Sequence, residues 1–587
     1  MRGFRDVMLE RGGLIGLACF VLYAWLAPVH VVDGENAEFS TLAALGGAAH
    51  PSGYPLYVLW LRAMSWLPAA SPAHAAGLAT AILGAVQLVV LHAACRAWGA
   101  RPAAASIAVM LFACAPTVLV MYTEAEVFAL NGLVVATVLW LAASAGPLKG
   151  AWRCAALGLV AGLGIANHMT CTLVAPVGLL GVLRGLRETS GAKPVAGALA
   201  LGGLIVGLTP YLYLLVAPVH QGTWGHITSF DDVVHTLLRR DYGGPVAFAG
   251  PGEAVPFATS LGALGRSVGR AWLWGPALLG LAMLGERSLR ARAGEPRWGW
   301  RMLALSFVVA GPLLVLRFNI DPVGVGLGVV NRFHLLPALL LVVPVAAGID
   351  RIARVALRDR ALPLRAWSQA ALICVGIAAV ASLSLDHVRR IHSPALELQA
   401  RNILRSLPTD AVLLAGTDDI GGGVNYVQLV RGERPDVLYV HWPLMALDWY
   451  RARIAARGLT LDLGLPGSPS VRFAEAALAQ GRPVVVDHGQ ANIFAKLPSY
   501  PFGPMMRVLP RGATPPSLDE VVTLNKEIYA RFDLGYEPPR VGDEWPADIH
   551  FKYAWTWNYL GERLRRAGRA EQAAAVLEVA RSLGPQP

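Results

Sequence analysis

Apolar residues arrive in this chain in blocks of about 17 to 23, separated by Gly, Pro or short basic runs, and this spacing decides the fold class before anything else. A helix rises about 1.5 Å per residue, so each block can cross a hydrocarbon layer roughly 30 Å thick. Hydrophobic residues make up 55% of the 587 and charged residues 15%, a balance outside that of soluble globular chains. The expected fold is mainly α: a polytopic transmembrane helix bundle of about eleven spans over residues 1–385, then a soluble α/β domain over 386–550. Residues 551–587 carry the Leu-Gly, Gly and Ala spacing of one tetratricopeptide-like helical hairpin.

Spans are expected near residues 12–29, 74–97, 102–121, 126–145, 151–166, 169–185, 195–217, 271–285, 302–318, 331–349 and 366–385. Residues 54–70 form a further apolar stretch, but Arg62 lies inside it between Pro55 and Pro68, so it reads as an interfacial or re-entrant helix. With that stretch left uncounted, the basic clusters fall on one side: Arg96 and Arg101; Lys149 and Arg153; Arg184, Arg187 and Lys193; Arg287, Arg290, Arg292, Arg297 and Arg301; Arg351, Arg354, Arg358, Arg360 and Arg365. The positive-inside rule makes that side cytoplasmic. The N-terminus, with Arg2, Arg5 and Arg11 before an apolar run, is placed there too, as an uncleaved first span in a plasma or bacterial inner membrane.

The net charge of +11 is thus accounted for by topology, and no aromatic-interleaved basic patch points to nucleic acid. The cysteines, Cys19, Cys95, Cys114, Cys154, Cys171 and Cys374, lie inside apolar blocks without C-x-x-C spacing, so neither a disulfide framework nor a metal site is signalled.

The same parity gathers the polar motifs outside. The exterior loops at 30–73 and 218–270, the turn at 122–125, the Asn167–His168 junction, the loop at 319–330 and the tail all share that face. Asp33, Glu35 and Glu38 follow the first span closely, and His50-Pro51-Ser52-Gly53-Tyr54-Pro55 forms a rigid turn that fixes His50 and Tyr54. Glu124 and Glu126 open one span, and Asn167 and His168 stand where two short spans meet. Ionisable groups at membrane depth mark sites because burying them unpaired is costly. Arg239, Arg240, Arg317 and Arg332 (followed by His334) sit on the exterior face against the charge rule, where a phosphate suits the bidentate guanidinium fork or a loop acid supplies a salt bridge.

Over roughly residues 30–460 the chain resembles the protein O-mannosyltransferase-like family of GT-C membrane glycosyltransferases. Glu35-Asn36-Ala37-Glu38-Phe39 and His50-Pro51-Ser52-Gly53-Tyr54-Pro55-Leu56 fall in the register of the family's D-S-G-E and H-P-P-G-Y-P-L elements. Glu126 through Asn131, Gly164 through Thr170, Pro210 through Tyr213, Trp224-Gly225, Arg239 through Gly243 and Arg332-Phe333-His334 are similar to later ones. The family's leading Asp is Glu35 here, its Gly is Ala37 and its second Pro is Ser52; Asp33 lies two residues early, which leaves Glu35 and Asp33 as alternative bases.

The resemblance implies an inverting GT-C transferase that moves a sugar, mannose in the family, from a polyprenyl-phosphate donor to a hydroxyl acceptor such as Ser or Thr of a secreted or membrane protein. The lipid-phosphate sugar is a substrate, no cofactor is implied, and a divalent metal is left open. Glu35 or Asp33, with Glu38 beside them, would act as base; Arg240 and Arg332 would hold the leaving phosphate; His50, Tyr54, Glu124, Glu126, Asn167, His168, Trp224 and His334 would position the substrates. The competing classes are a lipid-linked sugar flippase or transporter and a non-catalytic membrane scaffold. A transporter predicts repeated halves and midplane polar groups, whereas this sequence shows no repeated halves and gathers its polar groups at one boundary.

Overall fold

The computed structural model describes residues 11–191, 193–244, 254–290, 297–357, 366–459, 468–490 and 494–587. Arg2, Arg5, Arg292, Arg358, Arg360 and Arg365, used above to orient the spans, lie outside the described residues. The chain forms two compact units. The first comprises Met1–Pro28, Ala48–Ala217 and Ile227–Arg389; the second comprises Val29–Gly47, Pro218–His226 and Arg390–Pro587. The tail unit therefore takes in the start of each of the two large loops.

Among the described residues, the regular elements of the first unit are all helical. Proline opens helix after helix, at Pro55, Pro72, Pro102 and Pro116, where its missing N–H is no loss and its fixed φ is already helical. Among the described residues, Pro72–Ala97, Met169–Glu188 and Lys193–Leu215 are long and apolar enough to cross a membrane, and counting each of two bent pairs as one span raises the number to five. Gly12–Leu26, Pro102–Ala113, Phe128–Ala142 and Gly150–Ile165 are shorter apolar helices in other expected spans.

Several expected spans are interrupted, each at an identifiable place. The block at 102–121 divides at Ala115, whose extended ψ of 141° is imposed by Pro116. The block at 302–318 contains a π turn, Val309–Leu313, around Pro312. The block at 331–349 falls across Val325–Leu340 and Val342–Ala356, bent by 44°. Within residues 54–70 the helix is Pro55–Ala63; its 9 residues rise about 14 Å, under half of a hydrocarbon layer.

Close helix packing comes from small residues four apart. Gly158 and Gly162 on Gly150–Ile165 face Gly203 and Gly207 on Lys193–Gly207. A Cβ at Gly158 would stand 1.9 Å from the Ala200 carbonyl oxygen, and one at Gly207 2.4 Å from that of Leu159. The two backbones touch where only glycine lets them.

In the second unit, five strands form one sheet in the order β2-β1-β3-β5-β4. They are β1 Val412–Ala415, β2 Leu438–His441, β3 Val484–Asp487, β4 Ser499–Phe502 and β5 Met505–Val508. The parallel trio β2-β1-β3 is the expected α/β core, in register Val412 to Leu438 and Val412 to Val484. The antiparallel hairpin β4-β5 adds to it, turning at Gly503 with φ 59°. Pro501 inside β4 and two methionines in β5 hide these strands from a reading based on β-branched residues. At the end of the chain, Glu544–Arg566 and Ala570–Leu583 pack through Trp557, Leu560, Leu564, Ala573 and Val576. The first of these helices begins ahead of the expected hairpin.

Candidate functional site

In the first unit the turn after His50 sets the site. Gly53 and Tyr54 both take left-handed backbone, φ 88° and 45°, and the Gly53 amide donates to the His50 carbonyl at 2.7 Å. This conformation brings the Tyr54 hydroxyl 3.1 Å from His50 Nε2 and stacks its ring on His168, with centroids 5.7 Å apart. Tyr211 secures the turn from the other side, its hydroxyl lying 3.2 Å from both the Ser52 and Ile165 carbonyl oxygens.

His168 is held at the start of a 3-10 turn, Met169–Val174. The Thr170 amide donates to His168 Nδ1 at 3.2 Å, so a neutral imidazole there carries its proton on Nε2. Thr170 Oγ1 lies 2.7 Å from the same Nδ1 and accepts from Asn131 Nδ2 at 3.1 Å. Phe128 and Phe333 close on the imidazole, with centroids 5.4 and 6.2 Å away. Asn167 donates from Nδ2 to the Val127 carbonyl at 3.2 Å.

Tyr54 and His168 border a cavity of 330 Å³ that is also lined by Ser52, Thr170, Thr172, Arg239 and Arg317, with Leu313 and Leu314 on its apolar side. Two guanidinium groups, hydroxyls and an imidazole thus meet an apolar wall, which is the surface an amphiphile with an anionic end requires. The left-handed φ of 52° at Arg239 turns the chain just before the Arg240–Tyr242 turn. Arg239 lines the cavity, with its guanidinium carbon 5.3 Å from the Tyr242 ring centroid, while Arg240 is exposed and does not line it. Of the two adjacent arginines it is thus Arg239 that borders this cavity.

Arg332 is engaged elsewhere. Its Nη1 donates to Glu126 Oε1 at 3.1 Å, with both side chains buried, and it is not part of the cavity lining. Glu124 and His334 are buried as well, at 1% and 3% exposure, also outside the lining.

The loop acids belong to the second unit. Asp33 caps the helix Gly34–Leu45, accepting from the Asn36 amide at 2.6 Å, while Glu35 and Glu38 are half-buried on that helix. The helix is seated on Asp418–Leu429: a Cβ at Gly34 would stand 2.7 Å from the Asp418 carbonyl oxygen, and one at Gly422 2.5 Å from that of Gly34. Glu397 accepts from the Val31 amide at 3.2 Å and pairs with Arg431 at 3.0 Å. Trp224 packs on Trp449, centroids 5.9 Å apart, and Arg453 ties this segment down through the Thr223 and Gly225 carbonyls at 2.6 and 2.7 Å. Among the described residues, no cluster of three or more His, Cys, Asp or Glu is arranged to hold a metal ion.

Thr172 joins the lining without a sequence signal of its own. Arg317 was visible as an exterior arginine, and the structure places it with Arg239 in this lining, just past the π turn Val309–Leu313.

Residues 35–189 match the protein O-mannosyl-transferase TMEM260 N-terminal domain. Protein O-mannosyl-transferase TMEM260 of Mus musculus is 27% identical over 449 residues, covering 73% of this chain and 62% of that protein. Its counterpart in Dictyostelium discoideum is 21% identical over 493 residues, covering 75% of this chain and 58% of that protein. The matched region thus spans less than two thirds of either relative. ArnT from Cupriavidus metallidurans is similar in structure both bound to undecaprenyl phosphate, with a TM-score of 0.48 and 13% identity, and in the apo state, with 0.49 and 14%. Each covers 86% of this chain and 98% of the ArnT chain.

Proposed function

We propose that this chain, similar to the protein O-mannosyl-transferases over most of its length, transfers a sugar, mannose by that kinship, from a polyprenyl-phosphate carrier to a Ser or Thr hydroxyl of a protein. The carrying observation is the cavity that places Arg239 and Arg317 with Tyr54, His168 and Thr170 beside an apolar wall. A polyprenyl-phosphate sugar has matching parts: an isoprenoid chain, a phosphate and a polyol.

In the proposed reaction the acceptor oxygen bonds to the anomeric carbon as the bond from that carbon to the phosphate oxygen breaks. The acceptor's proton passes to a carboxylate, and polyprenyl phosphate leaves with one more negative charge than it had as the diester. Arg239 and Arg317 oppose that growing charge, which lowers the barrier more than it tightens ground-state binding. Attack from the face opposite the phosphate inverts the anomeric centre. Among the loop acids we assign the base to Glu35. Asp33 is occupied as a helix cap, and of the two half-buried acids Glu35 and Glu38 it is Glu35 that stands at the leading acid of the family's motif. The arginine distribution supports a reaction on the extracytoplasmic face and a cytoplasmic N-terminus.

The test is direct. Purified full-length protein, given labelled polyprenyl-phosphate mannose and extracytoplasmic proteins from its own membrane, is expected to label Ser or Thr. Flipping of the donor without transfer, or neither activity, would overturn the proposal in favour of a transporter or a scaffold.

A further inference from the structure

A second cavity, also of 330 Å³, is lined by Trp98, Arg184, Arg287, Trp300, Asp350 and Arg354. It lies at the far end of the helices that form the first. Met169–Glu188 has its first turn, Met169 to Leu173, in the first cavity and Arg184 in the second. The helix beginning at Arg297 has Trp300 in the second, and the π turn that ends it has Val309 and Leu313 in the first.

We infer that this second cavity binds a phosphate-bearing anion, such as the headgroup of an anionic lipid. Its lining holds three guanidinium groups against the single carboxylate of Asp350. That carboxylate is buried, 1% exposed, and shared between Arg101, whose Nε donates to Oδ1 at 2.5 Å, and Arg354, which binds Oδ2. One acid is thus divided between two arginines, and Arg184 and Arg287 add positive charge beyond it.

Arginines that only obey the positive-inside rule need no cavity; these line one more than ten times the roughly 15 Å³ that a single water requires. The site is also braced. Arg184 Nη1 donates to the Ala142 carbonyl at 2.5 Å, one bond from a group with five donors. Gly299 leaves it room, since a Cβ there would stand 3.1 Å from Arg184 Nη2. Trp98 donates from Nε1 to the Leu139 carbonyl at 2.9 Å and meets Trp300 edge-on at 5.3 Å, and the Arg287 guanidinium carbon lies 5.9 Å from the Trp300 ring centroid. Indole rings beside arginines at helix ends are the composition of the membrane interface, and basic pockets between helices at that depth receive phosphate headgroups.

Native mass spectrometry of the full-length protein tests this with three probes: phosphatidylglycerol, phosphatidylcholine and inorganic phosphate. Retained phosphatidylglycerol, with at least a tenfold loss in R184Q/R287Q and partial retention in R184K/R287K, would support a lipid headgroup. Binding of inorganic phosphate with the same variant pattern, but not of phosphatidylglycerol, would assign the site to a soluble anion. The lysine pair keeps the charge, so the comparison stands even where the glutamine pair folds poorly. Binding no tighter than that of phosphatidylcholine, or equal in all variants, would overturn the inference. So would loss of the lipid in R239Q, which would place it in the other cavity.

Discussion

The Arg332 guanidinium and the Glu126 carboxylate meet at 3.1 Å with their side chains 6% and 0% exposed, so each is the other's counter-ion in a place water does not reach. Removing one partner strands the other charge, which costs about 3–5 kcal/mol. Both E126Q and R332Q are expected to lower the thermal midpoint in detergent sharply, and E126L/R332M is expected to recover most of it. A double variant as unstable as the sum of the singles would mean the pair is not coupled.

The contact between Gly150–Ile165 and Lys193–Gly207 predicts a steric penalty with a built-in control. G158V places a branched side chain where even a Cβ would stand 1.9 Å from the Ala200 carbonyl oxygen, so the helices must separate, at about 1–3 kcal/mol or more. G197A, on the second helix with nothing within 4 Å, is expected to be neutral. Equal midpoints for the two variants would contradict the packing.

Asp33 and Glu35 are expected to separate by role. Asn is as good an N-cap as Asp, so D33N should keep both fold and transfer, while D33A should lose about 1 kcal/mol. E35Q should fold normally and lose at least about 100-fold in kcat through loss of the base. Transfer rates of the three variants, set beside their unfolding midpoints, decide the assignment; full activity in E35Q would remove Glu35 as the base.

Burial pushes the His441 imidazole down to about 4, and its Nδ1 lies 2.9 Å from the Tyr439 hydroxyl at the end of β2. An unfolded histidine titrates near 6.5, so between about pH 6.5 and 4 the unfolded chain holds a proton that the folded one lacks. Stability of the tail unit therefore falls as pH drops through that window, by at most about 3 kcal/mol. In the full-length protein, the tail's unfolding midpoint should drop more between pH 7 and 4.5 in the wild type than in H441Q. Parallel drops would rule His441 out as the source.

The legible part of this molecule was what depends on spacing. Apolar blocks gave a helical first unit, the tail read as α/β holds the parallel strands β1, β2 and β3, and the HPSGYP and GIANHMT segments supplied Tyr54 and His168, which do share a cavity. The illegible part depends on single backbone angles and on partition between units. Nothing in the string RRDYG says that Arg239 takes φ 52° and lines the cavity while Arg240 faces out. Nor does the unbroken run from Asp33 to Tyr54 reveal that its first part is seated on the tail through Gly34 and Gly422, while its last part belongs to the helical unit. Nor does spacing reveal that the acid paired with Arg332 is Glu126, 206 residues away in sequence.

The central claim is that Arg239 and Arg317 carry the charge that forms on the departing phosphate. The measurement is kcat and KM for sugar transfer from polyprenyl-phosphate mannose by wild type, R239Q, R317Q and R240Q. Removing a donor that acts mainly in the transition state should lower kcat about 100-fold in R239Q and R317Q with little change in KM, and leave R240Q near wild type. A large loss in R240Q with R239Q and R317Q unaffected would contradict the account.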